Sequence, residues 1–280
     1  MSLELRVLEV EGKIGAEAVR DDRPAGRLVA ALQEDDVRGR HAWSSLDDHD
    51  LADGEDPALY RELYSAAGAA WVEAGCLEHY VVVPADQDVL AAWYSLSFAQ
   101  QQVHGALELR PVTPTEPAGF SVRRAGAEAI DAAMALAFTI FDHQAEAPTW
   151  AGAPAPPEEE ARASYLEYLG DPDVAYFLAE RSGEPLGHLA LERESESTVY
   201  LSIAATAPEA RGLGVGKVLT ETALAWAHEQ GYAECITDWR SANLLAARFW
   251  PSQGFRPTAY RLYRSIRLTP RDRRPRSAPA

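Results

Sequence analysis

The stretch that decides the fold is Arg211-Gly-Leu-Gly-Val-Gly216, a glycine-rich loop that precedes a run of residues with helical periodicity. In the first turn of a helix, several backbone N–H groups have no intrahelical acceptor and the helix dipole is positive. Glycines at 212, 214 and 216 let the main chain approach an anion closely, and Arg211 and Lys217 add positive charge. The loop therefore predicts a binding site for a pyrophosphate.

Two familiar phosphate loops are excluded by counting residues. A Walker loop requires Gly at 211 and Ser or Thr at 218, where this chain has Arg211 and Val218. A dinucleotide-binding fingerprint requires Gly at 217, where this chain has Lys217, and it follows the first strand of a parallel unit. Three alternating glycines are also compatible with a plain strand-to-helix turn, so the surrounding pattern has to decide.

The pattern around the loop predicts an α/β fold, with an α+β mixed sheet that carries helices on its faces. Three strands in quick succession predict an antiparallel meander before the loop, and a strand between two helices follows it. Gly231 is predicted to end the long helix as a left-handed cap. The predicted strands are 120–124, 174–180, 187–192, 198–205, 234–239 and 255–266, and the predicted helices are 127–141, 165–169, 215–230 and 243–252.

A faint internal repeat suggests two related halves. Ala69-Ala-Trp71, Gly75 and Phe98 recur in order as Leu224-Ala-Trp226, Gly231 and Phe255, with nearly the same spacing. Tandem duplication explains this pattern, and chance similarity of two helix-strand-helix units is the alternative. The first copy has no glycine-rich loop, so we expect it to be catalytically silent.

A proline-rich segment, Arg110–Gly119, looks like the linker between the halves. We therefore expect an N-terminal domain at 1–112 and a C-terminal domain at 118–266. Residues 267–280 are rich in arginine and proline without periodic apolar residues, which predicts a disordered basic tail.

Residues 118–266 resemble the GNAT family of N-acetyltransferases. The family motif is Arg or Gln, two residues, Gly, one residue, then Gly or Ala, and it is matched by Arg211, Gly214 and Gly216. Pro208, Asn243 with Ala246, and Gly254-Phe255 also fall where the family has them. The layout of the whole chain resembles tandem GNAT proteins. The resemblance implies a GNAT-type fold, two GNAT-like domains in tandem, the first degenerate, and acetyl transfer from acetyl-CoA to a primary amine of a small molecule.

The resemblance also assigns cofactor contacts to particular residues. Backbone atoms of Ala204, Ala205 and Thr206 would bind the pantetheine arm, and a backbone N–H of Ala204 or Ala205 would polarise the thioester carbonyl. Asn243 would contact the cofactor from the last helix. The pyrophosphate would lie at the loop that starts at Arg211. It would be held there by the backbone N–H groups of Gly212, Leu213, Gly214, Val215 and Gly216.

The match breaks at the usual general acid of the family, a tyrosine seven residues after the position of Asn243. Here that residue is Trp250, whose indole N–H is no useful acid near neutral pH. Pro251 follows it and is expected to kink or shorten the helix. The hydroxyls that could substitute are those of Ser252, Tyr260 and Tyr263.

Two carboxylates are candidates for the general base that a protonated amine requires, Asp238 and Glu192. Asp238 lies on the strand beside the expected cofactor groove, and Glu192 ends a strand of the meander. Trp239 and Trp250 are candidates for lining an acceptor pocket, although buried tryptophans usually belong to a core. His188 is expected to be an ordinarily solvated strand residue.

The composition of the chain limits the kinds of partner that we expect for this protein. The net charge of −17 argues against nucleic acid and favours a cationic or amine substrate. Without a bilayer-length apolar run or a secretion signal, we expect a soluble, cytoplasmic protein that does not bind membranes. Cys76 and Cys235 are expected to be buried free thiols, and no metal site is expected. The oligomeric state stays open, with a homodimer as one option.

Two other functions remain alternatives to a transferase. A non-catalytic acyl-CoA-binding sensor or assembly module would explain Trp250 and a silent first half. A scaffold that uses neither half as a site would have no affinity for CoA.

Overall fold

The computed structural model describes residues 2–151 and 154–268. The predicted tail lies outside the described residues, apart from Arg267 and Leu268. The chain forms two compact units, which we call unit 1, Met1–Gln101 with Ala259–Ala280, and unit 2, Gln102–Thr258.

Strands and helices occupy most of both units. In chain order they are β1 Leu3–Val10, β2 Lys13–Arg20, β3 Arg23–Asp35, β4 Gly39–Ser44, β5 His49–Leu51, α1 Leu59–Glu73, β6 Glu78–Pro84, α2 Gln87–Ser95, β7 Ala99–Glu108, β8 Ser121–Ala125, α3 Ile130–Ala137, α4 Thr139–Ala145, α5 Glu158–Gly170, β9 Val174–Arg181, β10 Glu184–Arg193, β11 Thr198–Thr206, α6 Val215–Glu229, β12 Glu234–Arg240, α7 Leu244–Ser252 and β13 Arg256–Ser265.

The sheet of unit 2 has the strand order β7-β12-β11-β10-β9-β8. Strands β9 to β11 form the predicted antiparallel meander, and β8 is antiparallel to β9. Strand β12 lies parallel to β11, and β7 is antiparallel to β12. The meander and the helix that follows the glycine loop are confirmed, the latter ending at Glu229. The segment predicted as one helix over 127–141 is divided at Phe138 into α3 and α4, where the β-branched Thr139 and Ile140 lower helix propensity.

The sheet of unit 1 repeats the same topology. Its order is β1-β2-β3-β4-β6-β13, with the first four strands antiparallel, β6 parallel to β4 and β13 antiparallel to β6. Helices α1 and α2 flank β6, as α6 and α7 flank β12. Gly75 and Gly231 both have a positive φ just after the corresponding helices, at +88° and +92°. The repeat noted in the sequence is therefore a repeat of architecture.

The two units are divided differently from the predicted boundary between residues 112 and 118. Residues 102–108 of β7 pair with β12 and belong to unit 2, whereas residues 259–265 of β13 pair with β6 and belong to unit 1. Each unit therefore takes its last strand from the other half of the chain. The linker composition marks where the chain runs without regular structure, but it carries no information on strand partners.

Candidate active site

The glycine-rich loop adopts a backbone conformation that requires glycine. Gly212 and Gly214 both have φ of +82°, in the left-handed region that residues with a Cβ rarely adopt. Val218 N donates to Gly214 O at 3.0 Å and closes the first turn of α6. The N–H groups of residues 215–217 precede that bond and have no intrahelical acceptor. Free N–H groups at a helix terminus of this kind can bind an anion, and the predicted pyrophosphate site lies here.

Close packing sets the position of α6 against the sheet. A Cβ at Gly187 on β10 would lie 2.8 Å from the backbone oxygen of Ala205 on β11, and 3.0 and 3.2 Å from Val215 and Leu219 of α6. Glycine at this strand position therefore lets both the neighbouring strand and the helix pack closely. A Cβ at Gly216 would make ordinary contacts, at 3.4 Å with Thr206 and 3.6 Å with Phe249. The first turn of α6 therefore lies against the end of β11 and against α7.

Strands β11 and β12 diverge next to this loop. Their pairing runs from Thr198–Glu234 to Leu201–Thr237 and then ends, although both strands continue. The register of β11 against β10 shifts at the same point, because Ser202 is an extra residue between two paired positions. Ala204, Ala205 and Thr206 follow the bulge and remain paired with β10. The structure thus opens a gap between two parallel strands and places the predicted pantetheine residues along one side of it.

Asp238 lies at the point where the strands diverge. It is the first residue of β12 after the last pair with β11, and its Oδ1 accepts a hydrogen bond of 2.5 Å from the hydroxyl of Tyr200. Gln102 of β7 donates its amide to Oδ2. Burial first, and then the charge of Asp238, raise the pKa of Tyr200 above its ordinary value. The tyrosine therefore stays protonated and acts as a hydrogen-bond donor.

Glu192 lies on the same face of the sheet, beside Tyr200 in register. The hydroxyl of Tyr168 on α5 donates to Glu192 Oε1 at 2.9 Å and also contacts Ser202 Oγ at 2.6 Å. Since the single hydroxyl proton goes to the carboxylate, Ser202 is the donor in the second bond. Burial first raises the pKa of Tyr168, and Glu192 raises it further. The two predicted carboxylates are thus brought to one face, each with a neutral tyrosine as a partner.

Asn243 is the N-cap of α7. Its Oδ1 accepts from the backbone N–H groups of Leu245 and Ala246, each at 3.2 Å, and from His143 Nε2 on α4 at 3.2 Å. The resemblance implies a cofactor contact for Asn243, and the structure adds a capping role that was not predicted. Asn at the start of a helix is a common capping residue, so the signal was present in the sequence.

Comparison with known proteins adds the family. Residues 137–255 match the family model described as Acetyltransferase (GNAT) family. These residues are a GNAT acetyltransferase domain. No curated protein matches the chain.

Solved structures match nearly the whole chain. The crystal structure of a GCN5-related N-acetyltransferase from Sphaerobacter thermophilus has a TM-score of 0.63 at 14% identity, over 93% of this chain and 83% of the other. A GCN5-related N-acetyltransferase from Kribbella flavida has a TM-score of 0.53 at 17% identity, over 94% and 90%. A tandem GNAT protein from the clavulanic acid biosynthesis pathway has a TM-score of 0.52 at 15% identity, over 93% and 82%. At these identities the likeness shows the fold, and it confirms two GNAT-like folds in tandem.

The two tryptophans predicted to line an acceptor pocket lie elsewhere in the GNAT domain. Trp239 alternates with Asp238 along β12 and so points to the opposite face, where its ring lies over Gly105. Trp250 is buried and packs its indole against Phe249 and Phe255, with ring centroids 4.9 and 5.4 Å apart. Both side chains are part of the core on the face that carries α6 and α7.

The structure also shows where the three hydroxyls considered as substitutes for the family tyrosine lie. Tyr260 and Tyr263 lie on the part of β13 that pairs with β6, in unit 1. Ser252 donates to Phe249 O at 2.6 Å within its own helix. Helix α7 includes Pro251 and still reaches Ser252, so it is not shortened. The hydroxyls that contact the two carboxylates are instead those of Tyr168 and Tyr200, and neither was predicted.

In unit 1 the parallel strands β4 and β6 correspond to β11 and β12. A side chain lies where unit 2 has the gap between its two strands. Strand β4 ends at Ser44, and His49 of β5 donates its Nε2–H to Val82 O of β6 at 2.7 Å. The other ring nitrogen of His49 accepts from Tyr60 at 3.1 Å. The imidazole is buried, and burial lowers its pKa. The GNAT-like gap of unit 1 is therefore bridged by a neutral histidine.

His188 is not solvated as expected. It is almost fully buried on the face opposite α6, its Nδ1 lies 2.7 Å from the hydroxyl of Tyr176, and burial lowers its pKa to about 4. Cys76 and Cys235 are buried and free, as predicted. Within the described ranges, no group of three or more His, Cys, Asp or Glu side chains could hold a metal ion. None of the helices described is long and apolar enough to span a bilayer.

Proposed function

We propose that this protein transfers the acetyl group of acetyl-CoA to a primary amine of a small molecule. The observation that carries the proposal is the gap between β11 and β12, which opens beside the helix terminus formed by the glycine loop. A helix terminus that binds anions and a gap between parallel strands suit the two ends of one long ligand, a pyrophosphate and a thioester arm. The match of residues 137–255 to the GNAT family supports the same assignment.

The residues of the loop fit the cofactor in their backbone geometry. Gly212 and Gly214 adopt conformations in which no Cβ obstructs the approach of a phosphate, and nothing lies within 4 Å of either missing Cβ. The N–H groups of residues 212–216 would hold the pyrophosphate, and Ala204 to Thr206 would bind the pantetheine arm. A backbone N–H of Ala204 or Ala205 would stabilise the developing oxyanion. When bound, acetyl-CoA supplies the activated thioester.

Asp238 is the base we assign, because it lies at the point of divergence. An ammonium group binds its carboxylate and gives it a proton, and the neutral amine then attacks the carbonyl carbon. The C–N bond forms and the C–S bond breaks, so the sulfur leaves as the thiolate. The attached nitrogen still carries two protons, and it gives one of them to water to become the amide nitrogen. Asp238 returns its proton to water. An ordinary thiol has a pKa of about 8.5, so it can leave as the thiolate near neutral pH without an acid in the place of Trp250.

Glu192 attracts the substrate but is less suited to act as the base, because it lies on β10 beside Tyr200 and not at the point where β11 and β12 diverge. Together, two half-buried carboxylates on one face favour a cationic acceptor. The acceptor we propose is therefore an amine that is protonated in solution.

Two measurements test the proposal in sequence. The first is the melting temperature with and without acetyl-CoA, since a ligand that binds only the folded state must raise it. The second is turnover with a panel of amines, followed by the release of free thiol. Binding without turnover of any amine would instead favour the acyl-CoA-binding sensor or assembly module, which the replacement of the family tyrosine by Trp250 suggests. Absence of any shift at saturating acetyl-CoA would refute both.

A further inference from the structure

We propose that Gln102 and Tyr200 are positioning residues that hold the carboxylate of Asp238 at the opening between β11 and β12. This inference rests on the proposed function and extends it. Gln102 lies on β7, before residue 137, and so it comes from outside the segment that matches the family. A residue from the first half of the chain would then complete the acceptor site of the second half.

The strand register explains how both side chains reach Asp238. In the antiparallel pair β12–β7, Asp238 lies opposite His104 and Arg240 lies opposite Gln102, so Gln102 is the diagonal neighbour of Asp238 on the same face. A long side chain can span such a diagonal. On the other side, Tyr200 is paired with Ile236, two residues before Asp238 on the same face. The carboxylate is therefore held from both neighbouring strands.

The hydrogen bonds leave room for a substrate. A carboxylate has two oxygens and about four acceptor positions, and here each oxygen receives one donor. The remaining positions can accept hydrogen bonds from an ammonium group. Both donors are neutral, and among the residues that the structure describes Asp238 forms no ion pair. The carboxylate is thus fixed in orientation while its charge remains available to a cation.

Three other titratable side chains lie around Asp238 and can affect the pH dependence of the reaction. His104 lies opposite it in register, and Arg240 follows two residues along β12. Glu192 lies on the far side of Tyr200. The substitutions chosen below leave these three side chains in place.

Gln102→Leu is the decisive substitution, because leucine has a similar volume and cannot donate a hydrogen bond. Gln101→Leu is its matched control, since Gln101 is the adjacent residue of β7, points to the opposite face and is bonded to Arg261 at 2.8 Å in unit 1. Tyr200→Phe removes the second donor. The wild-type protein is first assayed for acetyl-CoA binding and for turnover with the amine panel, so that failure of the proposed function is seen before any variant is compared.

We expect Gln102→Leu and Tyr200→Phe each to lower kcat/KM about tenfold, with most of the change in kcat, because a misplaced base loses part of a contribution of about 10²-fold or more. Loss of a donor disfavours the charged carboxylate, so the acidic limb of the kcat/KM profile should move to higher pH. Gln101→Leu should leave the profile of the wild type unchanged. In an Asp238→Ala background, Gln102→Leu should have no further effect, since its action passes through Asp238.

Three results would overturn the inference. One is a Gln102→Leu enzyme whose pH profile matches that of Gln101→Leu, even if its melting temperature is lower, which would indicate a structural role. Another is a loss of activity that persists undiminished in the Asp238→Ala background. The third is a wild-type protein that binds acetyl-CoA and acetylates no amine, which removes the proposed function and the inference with it.

Discussion

Gly216 offers a substitution that should weaken cofactor binding about 30-fold while the fold is retained. It is the second residue of α6, its φ is not in the left-handed region, and a Cβ there would make only ordinary contacts. An aspartate in the first turn of a helix is favourable by about 0.3–1 kcal/mol, because it complements the helix dipole. Gly216→Asp should therefore melt at the same temperature as the wild type or higher when no ligand is present.

The same carboxylate should repel the pyrophosphate strongly. At a separation of about 5 Å, two unit charges interact with about 0.8 kcal/mol in bulk water and about 3.3 kcal/mol at an effective dielectric constant of 20. The loop is exposed and a pyrophosphate carries at least two charges, so we take about 2 kcal/mol as the loss. That corresponds to about a 30-fold increase in Kd.

A thermal shift assay measures this loss directly. Acetyl-CoA at about 100 times its Kd should stabilise the wild-type protein by about 2.7 kcal/mol. For a unit of this size that is about 5–11 °C, and in Gly216→Asp at the same concentration it should fall to about 2–3 °C. Gly216→Asn has the same volume without the charge and should keep most of the shift at low salt.

The comparison of the two variants decides the outcome. If Asp and Asn at position 216 reduce the shift equally, charge at this helix terminus is not what binds the ligand, and the pyrophosphate assignment is refuted. A difference that does not shrink as the salt concentration rises would contradict its electrostatic origin.

Three further predictions follow from packing, topology and burial. Gly187→Ala should lower the free energy of unfolding in urea by about 1–3 kcal/mol, because its methyl group would press on the backbone oxygen of Ala205 and on Val215 and Leu219. Gly170→Ala, with open space around its Cβ, should not lower it, and equal effects of the two substitutions would contradict this packing argument. Calorimetry should find one acetyl-CoA per chain, since His49 bridges the gap in unit 1, and a stoichiometry of two would contradict that role. Burial lowers the pKa of His79 and His188 to about 4, whereas the ordinary pKa of histidine is about 6.5. Between these two pH values the unfolded chain binds more protons than the folded one. The melting temperature should therefore fall as the pH decreases from about 6.5 to about 4. In His188→Gln the melting temperature should fall less steeply as the pH decreases. An unchanged pH dependence would argue against a contribution from His188.

Local patterns in the sequence were sufficient for the loop and its surroundings. The positions of Gly212 and Gly214, the helical period after them and the alternation in the meander all reflect forces between residues close in the chain. The predicted strand before α6 and the strand after it are present with bounds within two residues of those expected. The match to the GNAT family covers this same region.

Contacts between residues distant in the chain were not predicted. Strands β7 and β13 were each placed with the wrong half, because an apolar alternating run predicts a strand but not its partner. The burial of His188, and which of the adjacent residues Asp238 and Trp239 points toward α6 and α7, depend on which face of the sheet each helix covers.

The sequence by itself determined that an anion-binding loop begins a long helix after a meander, since glycine conformation and side-chain periodicity are local properties. Tertiary structure alone decided how the candidate acceptor site is assembled. Asp238, Tyr200 and Gln102 lie on three strands that are neighbours only after folding, and Gln102 reaches the site because the strand preceding the linker pairs with β12. Strand pairing is a long-range choice among many similar edges, so it is made by the packing of the whole unit rather than by any one segment.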